Sequence, residues 1–259
     1  MNFDKYIDNP SGGASVVTNR SMYKQMYRTK FDSVMVRENG VVKYKVYHSN
    51  DKFDSYYIYF KIPSEVVPDF YYDVVVQLYT KDAFRKNAIS LREYSVKFYS
   101  NDPAFMYTFA HSFAKNDLFI KDLESKMSKE ALKKTASVKN PNNMVWYVKS
   151  LYFAYLAMEK YNLFNRKILD TNSSPYDKNK LLQQIMHAEQ KVKLRQDAGI
   201  KIEKERANEK KLRPNAPRNK EVSSNTSPLS KTTKVSKVSK TSNITKNTSK
   251  TKIIGMKKK

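Results

Sequence analysis

The three histidines, His48, His111 and His187, stand far apart and in different segments, with no HExxH or HxH spacing. Zinc sites draw on convergent imidazole, thiolate or carboxylate donors, and the chain has no cysteine. The absence of thiols also rules out disulfides and a cysteine nucleophile, and no GxSxG elbow offers a serine in its place. A phosphate cradle built on glycine is equally hard to find. "NPSGGAS" (Asn9 to Ser15) holds two adjacent glycines, but neither GxxxxGK[ST] nor GxGxxG occurs, and the chain has only 5 glycines. Carboxylates are the remaining chemistry. Asp51, Asp54, Asp69, Asp73 and Glu93 fall near the ends of strand-like segments, and two-metal nucleases gather such groups around divalent ions. "DKF" and "REYSVK" are loose echoes of the acid-x-lysine arrangement found on nuclease strands. A divalent-metal nuclease, or another DNA-processing enzyme, is therefore the enzymatic alternative, with Asp73 and Glu93 as its test positions. No catalytic residue, metal ligand or cofactor is otherwise predicted, and the balance falls against an enzyme.

Binding chemistry is better represented. The formal net charge is +24, from 49 Lys or Arg against 25 Asp or Glu. More than half of that excess lies between Lys210 and Lys259, where fifteen basic residues face the single acid Glu221. Lysine recurs every third residue at Lys231, Lys234, Lys237 and Lys240, then at Lys246, Lys250, Lys252, Lys257, Lys258 and Lys259. Such a segment neutralises phosphates without base-reading geometry, so the expected partner is nucleic acid, bound non-specifically and in a salt-sensitive way. Lysine rather than arginine suits point-charge contact. A second candidate is the row Tyr57, Tyr59 and Lys61, which shares one face of a strand. It can stack bases, as an open single-strand-binding platform does, or anchor an interface with a neighbouring subunit.

These residues need a scaffold, and the hydrophobic pattern outlines one. Residues 1 to 30 read as an N-terminal arm, turn-rich at "NPSGGAS" and then mixed aromatic and basic in "SMYKQMYRTKF". "VMVRENGVVKYKVY" (Val34 to Tyr47) places two β-branched runs around Asn39-Gly40, the signature of a hairpin with a type I′ turn. Alternation continues through Phe53–Ile62, Tyr72–Thr80 and Ser90–Ser100, with a short helix expected around Asp82 to Asn87. Five strands within residues 31 to 100 predict a small antiparallel sheet, sandwich or partly open barrel.

The period changes after Asn101. Asp102 as N-cap and Pro103 at the first position open a helix whose Phe105, Phe109 and Phe113 form an aromatic stripe. Ser128 begins a short helix, and Met144 to Phe164 is the longest apolar helical run. Residues 101 to 170 thus complete the core begun by the sheet. Residues 176 to 212 read as a protruding charged helix, interrupted near Gly199, with Leu181, Ile185, Ala188 and Val192 at loose three-four spacing. Residues 213 to 259 are too polar to bury a core and are expected to be disordered. The class is α+β. No segment reaches the 18 or so apolar residues of a membrane span, and no secretory signal opens the chain.

"YSNDPAFMYTFAHSFAKNDLF" and "PNNMVWYVKSLYFAYLAMEKYNLF" resemble uncharacterised virion or replication-associated proteins of bacteriophages infecting low-GC Gram-positive bacteria. The resemblance spans roughly residues 30 to 165 and implies a structural, self-associating protein of a nucleic-acid-containing particle. It places the chain in a virion, or in the cytoplasm if the source is not a phage. Its partners would be other particle proteins, with the basic tail against packed nucleic acid. A single-stranded nucleic-acid-binding module is the further alternative.

Overall fold

Strand-forming alternation in the first hundred residues produces one open sheet. The computed structural model describes residues 1–8, 17–51, 53–81, 90–134, 136, 139–140 and 142–212. The elements in chain order are α1 (Phe3–Asp8), α2 (Val17–Arg37), β1 (Lys43–Ser49), β2 (Asp54–Pro63), β3 (Tyr71–Thr80), β4 (Ser95–Ser100), α3 (Ala110–Lys115), α4 (Lys129–Lys133), α5 (Lys149–Lys160), α6 (Arg166–Asn172), β5 (Ser173–Pro175), α7 (Lys178–Gln184) and α8 (Ala188–Leu212). The strand order is β4-β3-β2-β1-β5. β1 to β4 form an antiparallel meander, and β5 adds in parallel at the β1 edge. The sheet does not close into a barrel. Pro175 is tolerated because β5 is an edge strand, where a missing N–H breaks no ladder. Met1–Pro214 is one compact unit.

The expected hairpin at Asn39-Gly40 is replaced by a helix end. Both residues do take positive φ, 52° and 78°. They use it to close α2 rather than to join two strands. The Gly40 N–H donates to Met35 O at 2.7 Å and the Asn39 N–H to Val36 O at 3.3 Å, the paired bonds of a Schellman C-cap. Left-handed residues serve either motif, and the apolar Phe31, Val34 and Met35 decide for the helix because their spacing buries all three. The meander therefore has four strands from this region, and the fifth comes from Ser173–Pro175. The chain start also docks: Phe3 and Tyr6 of the expected arm are fully buried.

The sheet is covered on both faces. On one, Ile58, Val76 and Phe98 lie in register, and Phe98 meets the rings of Phe3, Tyr6 and Phe113 at 5.0, 4.9 and 5.9 Å. Helix α5 lies on this face and buries Leu151, Tyr152, Phe153, Ala154, Leu156, Ala157 and Met158. It starts at Lys149 rather than Met144, and residues 143–148 before it have no regular secondary structure. On the other face, Tyr57 stacks on Tyr176 at 4.0 Å, and the Tyr99 hydroxyl donates to Lys126 O at 3.0 Å.

Downstream of β4, Asp102 caps as expected, its Oδ1 accepting the Ala104 N–H at 2.9 Å. The aromatic stripe is only partly internal. Phe105 and Phe113 are buried, whereas Phe109, at the end of a π-helical turn over Phe105–Phe109, is half-buried. The charged C-terminal helix is two helices, α7 and α8, broken at Ile185–His187. Leu181, Ile185, Ala188 and Val192 are all buried, so this segment returns to the core instead of protruding at once. Helix α8 runs through Gly199 without interruption; the ~1 kcal/mol glycine penalty does not break it there. The helix expected at Asp82 to Asn87 lies outside the described residues, as do all ten tail lysines from Lys231 to Lys259. Among the described residues no helix is long and apolar enough to cross a membrane.

Candidate nucleic-acid interface

Tyr57, Tyr59 and Lys61 do share a face, but the chain itself covers it. Tyr57 and Tyr59 are only 7% and 4% exposed. Burial first, and the nearby Asp122 next, push the Tyr57 hydroxyl up to about 12. Tyr59 donates to Asp73 Oδ1 at 2.8 Å and to Gln184 O at 3.2 Å, while Lys61 Nζ lies 2.5 Å from the same Oδ1. The covering segment around α7 lies more than a hundred residues downstream, which local alternation cannot reveal. These rings have no free face for a base.

The candidate carboxylates do not gather either. Asp73 is fully buried, and its other oxygen accepts from Asn101 Nδ2 at 2.7 Å and from the Met186 N–H at 3.1 Å. With four donors on two oxygens it fastens the C-terminal segment to the sheet. Asp54 sits seven positions along β2 from Lys61, the residue paired with Asp73, or about 23 Å away at 3.3 Å per residue. Its oxygens meet His48 Nε2 at 2.7 Å, Arg166 Nη1 at 3.0 Å and the Tyr94 hydroxyl at 2.6 Å. Burial raises the Asp54 carboxyl, but the hydrogen bonds from His48, Tyr94 and Arg166 outweigh it and leave a net depression. Arg166 also donates to the Tyr56 hydroxyl, which in turn donates to Asp170. This network ties α6 to the start of the central strand β2. Among the described residues no three His, Asp or Glu are placed to hold a metal ion. His111 bonds Leu132 O at 2.8 Å, away from this network.

A different set of side chains converges where α2, the turn after Asp102, the run before α5, and α8 meet. Tyr23, Met26, Tyr27 and Lys30 occupy i, i+3, i+4 and i+7 of α2, one stripe of the helix. They form one wall of an open cleft of about 600 Å³. Tyr107 and Phe109 line it from the π-helical turn, Trp146 from the run entering α5, Lys149 from the first position of α5, and Arg195 from α8. Among the described residues Tyr72 and Tyr147 also line it but are only 6% and 3% exposed, and Lys139 adds a fourth cation. Among the described residues Asp102 is the one carboxylate in the lining, and its Oδ1 is engaged in the helix cap.

Local contacts hold this arrangement in place. Glu65 sits between two lysines, 3.0 Å from Lys30 and 2.8 Å from Lys149. Burial raises its carboxyl, but Lys149 and Lys30 pull it below its ordinary value. Trp146 meets Tyr23 and Tyr147 edge-on, at interplanar angles of 89° and 69°. Burial, then Tyr23, Asp102 and Glu65, push the Tyr27 hydroxyl up to about 12, so it stays a neutral donor. The Arg195 Nε is buried without a hydrogen-bond partner among the described residues, while the Arg195 side chain bonds the Tyr72 hydroxyl. The sequence did carry a sign of the site, the aromatic-basic interleaving of "MYKQMYRTK", but nothing local joins it to Tyr107, Trp146 or Arg195.

No family model matches the chain, and no curated protein or solved structure is significantly similar to it.

Proposed function

We propose that this chain is a non-enzymatic nucleic-acid-binding protein whose body, not only its basic C-terminal residues, contacts the polyanion. The observation that carries this reading is the cleft lining: among the described residues, the cations Lys30, Lys139, Lys149 and Arg195 stand with the partly exposed rings of Tyr23, Tyr27, Tyr107, Phe109 and Trp146, against Asp102 and the Glu65 that pairs with Lys30 and Lys149. Cations neutralise phosphates, and aromatic faces accept bases. The placement of the carboxylates lends no support to the metal-nuclease alternative, since Asp73 is saturated by internal donors.

The test is fluorescence anisotropy of a labelled oligonucleotide at 50 and 200 mM salt, with the full chain and with one ending at Pro214, the limit of the compact unit. Four phosphate contacts to a single strand give a salt slope of about −2.8, or roughly a 50-fold loss over that range. The shortened chain is expected to keep binding with about that slope, and the full chain to bind more tightly and more steeply. Complete loss of binding on shortening overturns the reading.

A subunit role in a nucleic-acid-containing particle is the second reading. Val36, Val41 and Val66 are 80%, 58% and 64% exposed. They lie on two segments that Arg37 joins by donating to Glu65 O at 3.3 Å. Exposed apolar residues of this kind suit contact between copies. Mass in solution across a concentration series tests it: self-association is expected, and a monomer throughout removes the role.

A further inference from the structure

We infer that the cleft selects single-stranded nucleic acid by stacking an unpaired base on Tyr107 and Trp146 while Lys30, Lys149 and Arg195 hold the flanking phosphates. This rests on the nucleic-acid reading above and specifies its ligand. Tyr107 is 55% exposed, projects from the π-helical turn into the cleft, and makes no ring contact among the described residues. An exposed tyrosine gains nothing from the core, so its apolar face is free for a planar partner. Trp146 is half-buried, and its two ring neighbours meet it at steep angles rather than stacking in parallel. As a half-buried lining residue it leaves part of its ring surface exposed to the cleft.

The strand class follows from what each nucleic acid exposes. In a duplex the base faces are occupied by neighbouring base pairs, so phosphates, sugars and base edges reach a protein but no base face meets a ring. A single strand presents each base face to an aromatic platform. The cations suit the same ligand. Lys30 and Lys149 are fixed on either side of Glu65, at about one-third exposure each, so their ammonium groups are positioned yet reachable. Arg195 lines the same cleft from α8. Stacking tolerates any base, so the expected selectivity is for strandedness rather than for sequence.

Trp146 is the chain's single tryptophan, which makes its emission a direct report on the cleft. The full chain is titrated with a fifteen-nucleotide oligothymidylate, a duplex of the same length and inorganic polyphosphate, following tryptophan fluorescence and anisotropy together. The single strand is expected to quench Trp146 and to bind more tightly than the duplex. Tyr107→Ala, at an exposed position that folding does not need, is expected to weaken the single strand roughly 5- to 150-fold and to leave polyphosphate unchanged. If duplex and polyphosphate bind as tightly as the single strand, with unchanged emission and no effect of Tyr107→Ala, base stacking is overturned while nucleic-acid binding stands. If no polyanion binds, both readings fall.

Discussion

Replacing Asp73 with alanine separates a structural carboxylate from a catalytic one. The side chain is fully buried and accepts from Tyr59, Lys61, Asn101 and the Met186 main chain at 2.8, 2.5, 2.7 and 3.1 Å. Removing it takes an acceptor from four donors at once, although Tyr59 keeps Gln184 O and Asn101 keeps Met186 O, each at 3.2 Å. A hydrogen bond to a charged group contributes about 1.5–3 kcal/mol, but the four do not add, and Lys61, about one-third exposed, can turn to water. Breaking a buried pair by deleting one partner costs about 3–5 kcal/mol, which is the expected destabilisation. For a compact unit of this size each kcal/mol lowers Tm by about 2–4 °C, so the drop should be about 6–20 °C. Thermal melts by circular dichroism measure it. Hydrogen exchange should show the Met186 amide and α7 losing protection before β2 and β3 do. A melting point within about 2 °C of the parent would refute the fastening role. So would a magnesium-dependent nuclease activity abolished by this substitution in a protein that still melts normally.

Three further outcomes follow from the same contacts. Gly40→Ala should cost about 1 kcal/mol in urea unfolding; its Cβ would have only Lys160 Nζ nearby, at 3.9 Å, so the cost comes from the positive φ of the α2 cap. Asp54 has a folded-state pKa below its ordinary 3.8, so its contribution is complete above that value and fades as pH falls through the depressed one. Asp54→Asn should accordingly be less stable than the parent at pH 6, with the gap narrowing below pH 4 in melts run down to pH 2. Phe98→Ala, which empties a fully buried site ringed by Phe3, Tyr6 and Phe113, should lose about 3–5 kcal/mol in equilibrium unfolding.

The strands were readable where a period of two was enough. Phe53–Ile62 and Tyr72–Thr80 match β2 and β3 to within a residue, and Asp102 and Ser128 stand at the helix starts their chemistry implied. Misreadings arose where one local signal serves two structures. Positive φ at Asn39 and Gly40 suits a hairpin and a helix cap equally, and burial of Phe31, Val34 and Met35 settles the choice. Alternation in β2 implied an outer face for Tyr57 and Tyr59, but that face is closed by Tyr176 and the chain around Gln184. The cleft escaped detection for the same reason. Its stripe on α2 is visible as Tyr23, Met26, Tyr27 and Lys30, yet its opposite walls are about 80 to 170 residues away in sequence.

The most direct test of where nucleic acid binds is photocrosslinking. The full chain is irradiated with a fifteen-nucleotide single strand at 100 mM salt, digested, and the adducted peptides are mapped by mass spectrometry. Adducts on the peptides carrying Tyr107 and Trp146, competed by excess unlabelled single strand, are the predicted result. Adducts confined to residues 213 to 259, with none on the cleft, would contradict the account.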